Sequence, residues 1–336
     1  MKQSDFIGIV EAAYNTEGPD AGSDEGWLRG VLAALRPTLD QGLGVLGWFH
    51  DLREMPAVPK LTVLDGPAAM FERLSQQADN VGGDLLRKAM STAPVSTMRV
   101  SLGVAVLDPM LRAAEASAMI DSLGLFCQDS DGHGMGIAAH SPRVVSLARR
   151  DILRWQRLVA HLTAGFRLRR RHGATEAVLA PSGKLVHAEG AARSPRAREV
   201  LRAAAIDFDR ARRRGGDVDE ALDLYRALIA GRWTLVDLFE RDGKRYAIAR
   251  QNTPAPPPAP ELTVRETQVA VFTAIGHPIK MISYELGLSE SSITTYLRRA
   301  LVKLRLPDRL ALAARFSFIG HPAPQGGSSP PTVQAV

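Results

Sequence analysis

The chain has little that would let covalent or membrane chemistry organise it. A single cysteine, Cys127, occurs in 336 residues, so no disulfide can close within the chain and cysteine-rich zinc sites are excluded. A reducing compartment fits that usage, and a cytoplasmic location is expected. Aromatic residues make up only 6%, and no apolar run approaches the roughly 20 residues needed to cross a bilayer, so no membrane partner is expected. The first residues, MKQSDFIGIVEAAYN, lack the long apolar stretch of a signal peptide. Nucleotide-loop strings are missing, and no nucleophile, base and orienting group can be assembled from the spacing. Neither an enzyme nor a cofactor is expected. Cys127, His133 and His140 share one predicted hairpin with Asp129 and Asp131, but no glutamate closes a calcium loop. Cys127 reads as a small core residue and no metal is assigned.

What the chain does have is the balance of an ordinary soluble protein, 45% hydrophobic and 23% charged, with a net charge of +6. That length suits about two or three domains, and the positive charge suits an anionic partner. The clearest boundary is NTPAPPPAPE at 252–261, where five prolines in ten residues cannot continue a helix or a central strand. It reads as a semi-stiff extended linker. Residues 320–336 are poor in apolar side chains and read as a disordered tail.

The block 1–172 mixes helices and strands. Leu28, Val31, Leu32 and Leu35 have the spacing of an amphipathic helix. Strands are predicted at 42–52, 60–65 and 98–106, and helices at 67–78 and 85–91. Asp108 is placed as a helix cap with Pro109 at the first helical position. LGLFCQ and GMGIAAH flank an Asp-Gly turn and read as a hairpin. A long helix over 145–171 carries Val145, Ala148, Ile152, Trp155, Val159, Leu162 and Phe166 at alternating spacings of three and four. That seam suits packing on the helix's own sheet, or a dimer or signalling contact. The block 173–251 reads as a hairpin turning at 181–184, helices at 195–213 and 218–230, and a second hairpin turning at Asp242-Gly243. By element order the first block resembles a GAF domain. The second is similar to a trimmed PAS domain, carried by the VLAPSGKLVHAEG stretch. Both resemblances imply small α+β sensory or dimerising modules on antiparallel sheets.

Residues 262–319 are different in kind. Thr263 and Glu266 make a capping box. Val269 and Phe272 give a first helix its apolar face, and Gly276 ends it. Pro278 suits a first helical position, with Ile279, Ile282 and Leu286 on the buried side of a second helix. Gly287 permits a sharp turn, and Ser289 caps a third helix. There Ile293, Leu297, Ala300, Leu301 and Leu304 share one face, while Ser291, Thr294, Thr295, Arg298 and Val302 share the other. Hydroxyls and a guanidinium suit base edges and phosphates. Lys280, Arg299, Lys303 and Arg305 flank that face, within reach of a phosphate backbone.

This segment resembles the LuxR-type helix-turn-helix of bacterial transcription regulators. LTVRE, Gly276, KMISYELGLS, Ser292-Ile293, Lys303-Leu304 and Arg309 fall at the family's spacings. The resemblance implies an all-α four-helix unit whose third helix lies in the DNA major groove. It implies base contacts from Thr294, Thr295 and Arg298, and backbone contacts from Ser292 and Lys303, to which the charge pattern adds Lys280 and Arg299. Its last helix, from about Asp308, would support dimer contacts. Three positions depart from the family: Ser283 for alanine, Tyr296 for histidine and Arg305 for glycine. With the neutral Thr294 and Thr295, modest intrinsic affinity and a need for dimerisation are expected. The expected partners are duplex DNA and a second copy of the chain; RNA polymerase is a further candidate, and any small-molecule ligand is unidentified. Three rival readings are a sigma-factor-like promoter reader, a signal scaffold with a degenerate helix-turn-helix, and a protein whose main task is small-molecule sensing.

Overall fold

Alternating apolar residues from 45 to 51 and from 121 to 141 can be buried only if strands stack into a sheet with helices on its face. A computed structural model describes residues 3–15, 23–51, 61–65, 72–73, 93–115, 118–129, 133–170, 175–213, 233–239, 245–251 and 262–317. It places β1 (Val45–Asp51), β2 (Leu61–Asp65), β3 (Val95–Thr97), β4 (Asp121–Gln128) and β5 (His133–Ser141) in one antiparallel sheet, ordered β2-β1-β5-β4-β3. Two helices precede it, α1 (Gln3–Tyr14) and α2 (Asp24–Leu39). Ser23 caps α2 by accepting from Gly26 N at 3.0 Å, and Trp27, Leu28, Val31, Leu32, Leu35 and Leu39 are its buried face. Gly47 allows that face to close on β1, because a Cβ there would sit 3.0 Å from Leu28.

The segment read as a strand over 98–106 is mostly helical. After β3 the chain turns into α3 (Met98–Leu102) and, past Gly103, α4 (Val104–Ala113). Thr97 accepts from Val100 N at 3.4 Å, and Gly103 adopts φ 82 between the two helices. Pro109 lies inside α4 and not at its first position. The predicted helices at 67–78, 85–91 and 218–230, apart from residues 72–73, lie outside the described residues. So do the Asp-Gly turn tips, the linker 252–261 and the tail.

The long helix, α5 (Arg149–Arg170), starts later than predicted, because Val145 N donates to Asp121 at 3.1 Å and holds the preceding residues extended. Trp155, Val159, Leu162 and Phe166 are buried in the protein's own core, so the heptad-like seam is filled internally from Trp155 onward, while Val145 and Ala148 precede the helix and Ile152 is half-buried. Gly165 lets α1 cross at contact, as a Cβ there would overlap the carbonyl of Ala13.

The second sheet, ordered β7-β6-β9-β8, contains β6 (Thr175–Leu179), β7 (Leu185–Ala188), β8 (Trp233–Phe239) and β9 (Arg245–Gln251). It packs with α6 (Pro195–Arg213), and Trp233 Nε1 donates to the buried Glu176 at 2.7 Å. Four helices complete the described chain: α7 (Val264–Ala274), α8 (Ile279–Leu286), α9 (Glu290–Lys303) and α10 (Arg309–Ser317). They have a core of their own, yet Met281 and Tyr284 of α8 belong to the large N-terminal cluster. Among the described residues no helix is long and apolar enough to cross a membrane.

Three of the buried histidines, His50, His140 and His161, lie in the N-terminal part of this interior. Burial pushes His161 down to about 3, and His140 and His50 down to about 4, the last against weaker opposing effects of Gln128 and Asp51. An unfolded chain would bind those protons near pH 6.5. The stability they contribute is therefore complete above pH 6.5 and is lost as pH falls toward 4. Each imidazole should cost about 1.4 kcal/mol per pH unit across that window. Urea melts at pH 7.5 and pH 5 should show a marked drop in midpoint; equal midpoints would contradict the burial of these rings.

Candidate DNA-binding surface

The turns of the C-terminal unit are set by backbone chemistry. Thr263 Oγ1 accepts from Glu266 N at 3.3 Å, and Glu266 Oε2 accepts from Thr263 N at 2.8 Å, completing the capping box. Three helices then end on a left-handed residue. After α7, Gly276 has φ 86 and His277 N donates back to Phe272 O. Pro278 caps α8 and does not occupy its first turn. After α8, Gly287 has φ 62 and Leu288 N donates to Ser283 O. After α9, Arg305 has φ 55, with Leu306 N donating to Leu301 O at 2.9 Å and Arg305 N to Val302 O at 3.1 Å. This pair of bonds is a Schellman motif, whose left-handed position favours glycine. The buried Ser283, another departure from the family pattern, donates to Leu288 O and ties the turn between α8 and α9.

α9 is anchored on one side. Ile293, Leu297 and Ala300 are buried with Val269, Phe272, Ile282 and Leu286, and Leu304 and Leu312 extend the same cluster. Ser289 caps the helix by accepting from Ser292 N at 3.2 Å. On the far side Thr294, Thr295, Arg298 and Arg299 are exposed, as are Ser291 and Val302. Both threonine hydroxyls bond back to the helix, Thr294 to Glu290 O and Thr295 to Ser291 O, each at 2.9 Å. Their methyls and oxygen lone pairs remain available outward. Ser292 is half-buried and shares a hydroxyl contact with Ser289 at 2.8 Å. Lys280 is exposed on α8. Lys303 is not idle: its Nζ donates to Glu266 Oε2 at 2.6 Å, bracing α9 against the start of α7. Burial alone would raise the Glu266 pKa, but the bonds from Lys303 and Thr263 outweigh it and hold the carboxylate below its usual range.

The unit is seated on the rest of the protein through α8. Tyr284 Oη lies 2.7 Å from His161 Nε2, and Tyr14 Oη lies 3.2 Å from His161 Nδ1. The guanidinium of Arg157 stacks over the Tyr284 ring at 5.8 Å. Glu285 is buried against His277 at 3.3 Å. Its charge also reaches Arg167, which donates to Asp129 at 3.1 Å; burial lowers the Arg167 pKa, but Asp129 and then Glu285 outweigh that and raise it. The face of α8 bearing Met281 and Tyr284 carried a signal that the apolar-stripe reading missed. Two large side chains three apart, on the side away from Ile282 and Leu286, mark a second buried face.

Arg305 offers a direct check of the turn geometry. A side chain in the left-handed region costs roughly 1–2 kcal/mol, while glycine loses roughly 0.5–1 kcal/mol more chain entropy. Arg305→Gly should therefore raise the urea midpoint slightly, by less than about 1 kcal/mol of stability. Arg305→Val should lower it. A clear fall for the glycine variant would contradict the left-handed assignment.

Residues 260–316 match the family described as bacterial regulatory proteins, luxR family. Among solved structures, one of Escherichia coli SdiA is 12% identical, with 88% of each chain covered, at a TM-score of 0.30. SdiA in complex with octanoyl-rac-glycerol is also 12% identical, covering 83% of this chain and 82% of that one, at a TM-score of 0.28. Likenesses that distant bear no further weight. No curated protein sequence matches the chain. Residues 260–316, which hold these capped helices and glycine turns, are a LuxR-family helix-turn-helix domain.

Proposed function

We propose that the protein is a cytoplasmic transcription regulator that reads a specific duplex with α9 and is controlled by its N-terminal modules. The observation that carries this reading is the two-sidedness of α9: its apolar side is locked into the helical core while Thr294, Thr295 and Arg298 remain exposed. Arg298 would take a guanine edge and the threonines a thymine methyl or a base acceptor. Lys280, Ser292, Arg299 and, after exchanging Glu266 for phosphate, Lys303 would hold the backbone. Two copies would place their reading helices on half-sites roughly 34 Å apart.

The modules at 1–172 and 173–251 would sense and dimerise. In support of sensing, the face of the first sheet opposite α5 is aromatic and polar. Trp48 lies across Gly136 and His50 across Gly134, where a Cβ would overlap either ring. Trp48 Nε1 and His50 Nδ1 are buried with no hydrogen-bond partner among the described residues. A small polar ligand would satisfy both atoms, since a buried unpaired donor or acceptor is costly.

Gel shifts of the full chain on genomic fragments, repeated over a salt series, test the DNA reading. Affinity should fall linearly on a log–log plot against salt. Arg298→Ala should change the ranking of fragments, at about 1–3 kcal/mol for the preferred site. Lys303→Ala should weaken all fragments alike and also lower the urea midpoint, because Glu266 loses its partner. Salt-indifferent binding, or none, would sink the proposal.

A further inference from the structure

The long helix α5 packs against α8 of the DNA-binding unit, and a cleft at this junction borders the N-terminal end of α9. Leu153, Gln156 and Arg157 of α5 line one wall of a cleft of about 170 Å³; Lys280, Ser283 and Glu290 are on the other. Glu290 is the first residue of α9, and Lys280 is exposed on α8. The cleft therefore opens beside the helix end that enters the groove of a bound duplex. A flanking phosphate strand runs past that end in the helix-turn-helix geometry.

From this placement we infer that α5 is part of the DNA-contact surface, with Arg157 and Lys280 taking one backbone phosphate between them. The inference rests on the DNA-binding reading above and adds a residue from outside the helix-turn-helix. Its physical basis is preorganisation. Arg157 is held over the Tyr284 ring at 5.8 Å, and Tyr284 is itself bonded to the buried His161 at 2.7 Å. The α5 guanidinium is thus held by the core in the wall of the cleft, which Lys280 also lines. The charge balance also suits a phosphate. The cleft is lined by two cations, Arg157 and Lys280, and one carboxylate, Glu290. A guanidinium can grip a phosphate with two parallel N–H bonds, and a contact to phosphate adds affinity without regard to sequence.

The test uses the full chain and fluorescence anisotropy on a tight and a weak fragment from the gel shifts, between low and moderate salt. Arg157→Ala should weaken both fragments alike, by about 5- to 10-fold, and reduce the salt slope by about 1. Because that substitution also removes the stack on Tyr284, Gln156→Lys is the companion. It adds a cation on the same rim without touching Tyr284, and should tighten both fragments and steepen the slope. Tighter binding by Arg157→Ala would mean that α5 obstructs the duplex, and would overturn the inference. Unchanged slopes for both variants, with Arg298→Ala still altering fragment preference, would overturn it while leaving the DNA reading intact. Absence of binding by the unsubstituted chain overturns both.

Discussion

His161 is fully buried between two tyrosines that are 270 positions apart in the chain, Tyr14 and Tyr284. Three polar groups buried together would be ruinous if any were left unpaired. A neutral imidazole solves this, with one nitrogen donating to one phenol and the other accepting from the second. Burial keeps the ring neutral by disfavouring its charged form. The arrangement joins the first helix, the long helix α5 and the support helix α8 in one core, and it fixes which way the DNA-binding unit faces.

That orientation has a consequence for function. A helix-turn-helix has two helices that could be covered by a neighbouring domain, and here it is α8 that is covered. Its two faces serve two cores: Ile282 and Leu286 pack under α9, while Met281 and Tyr284 pack on α5. α9 can therefore keep its hydroxyl and guanidinium face in solvent while the unit is docked. Thr294, Thr295 and Arg298 stay exposed although Glu290, at the start of the same helix, borders the junction with α5.

Local chemistry explains why so much of the C-terminal unit could be read before any coordinates. Thr263 with Glu266, Gly276, Gly287 and Ser289 each act within a few residues of their own position, and each forms the cap or turn expected of it. The hairpin of β4 and β5 and the bounds of α6 were legible for the same reason. The segment at 98–106 was not. Its apolar residues fit either period over so short a run, and the deciding features are Thr97 as a cap and Gly103 at φ 82. Lys303 was legible as a cation near the outward face of α9 but not as the partner of Glu266, because that pair spans 37 positions.

Sequence alone determined most of the DNA-binding unit: its helices, most of their ends and the chemistry of its outward face follow from capping, turn and periodicity rules that operate over a turn or two. Its single cysteine also rules out a disulfide within the chain. Only the tertiary structure decided where that unit sits, that the seam of α5 is filled from within, and that Tyr284 belongs to a distant core. Those outcomes depend on which surfaces meet across hundreds of residues, and hydrophobic burial, being non-directional, leaves no periodic mark in the chain to say which partner it will find.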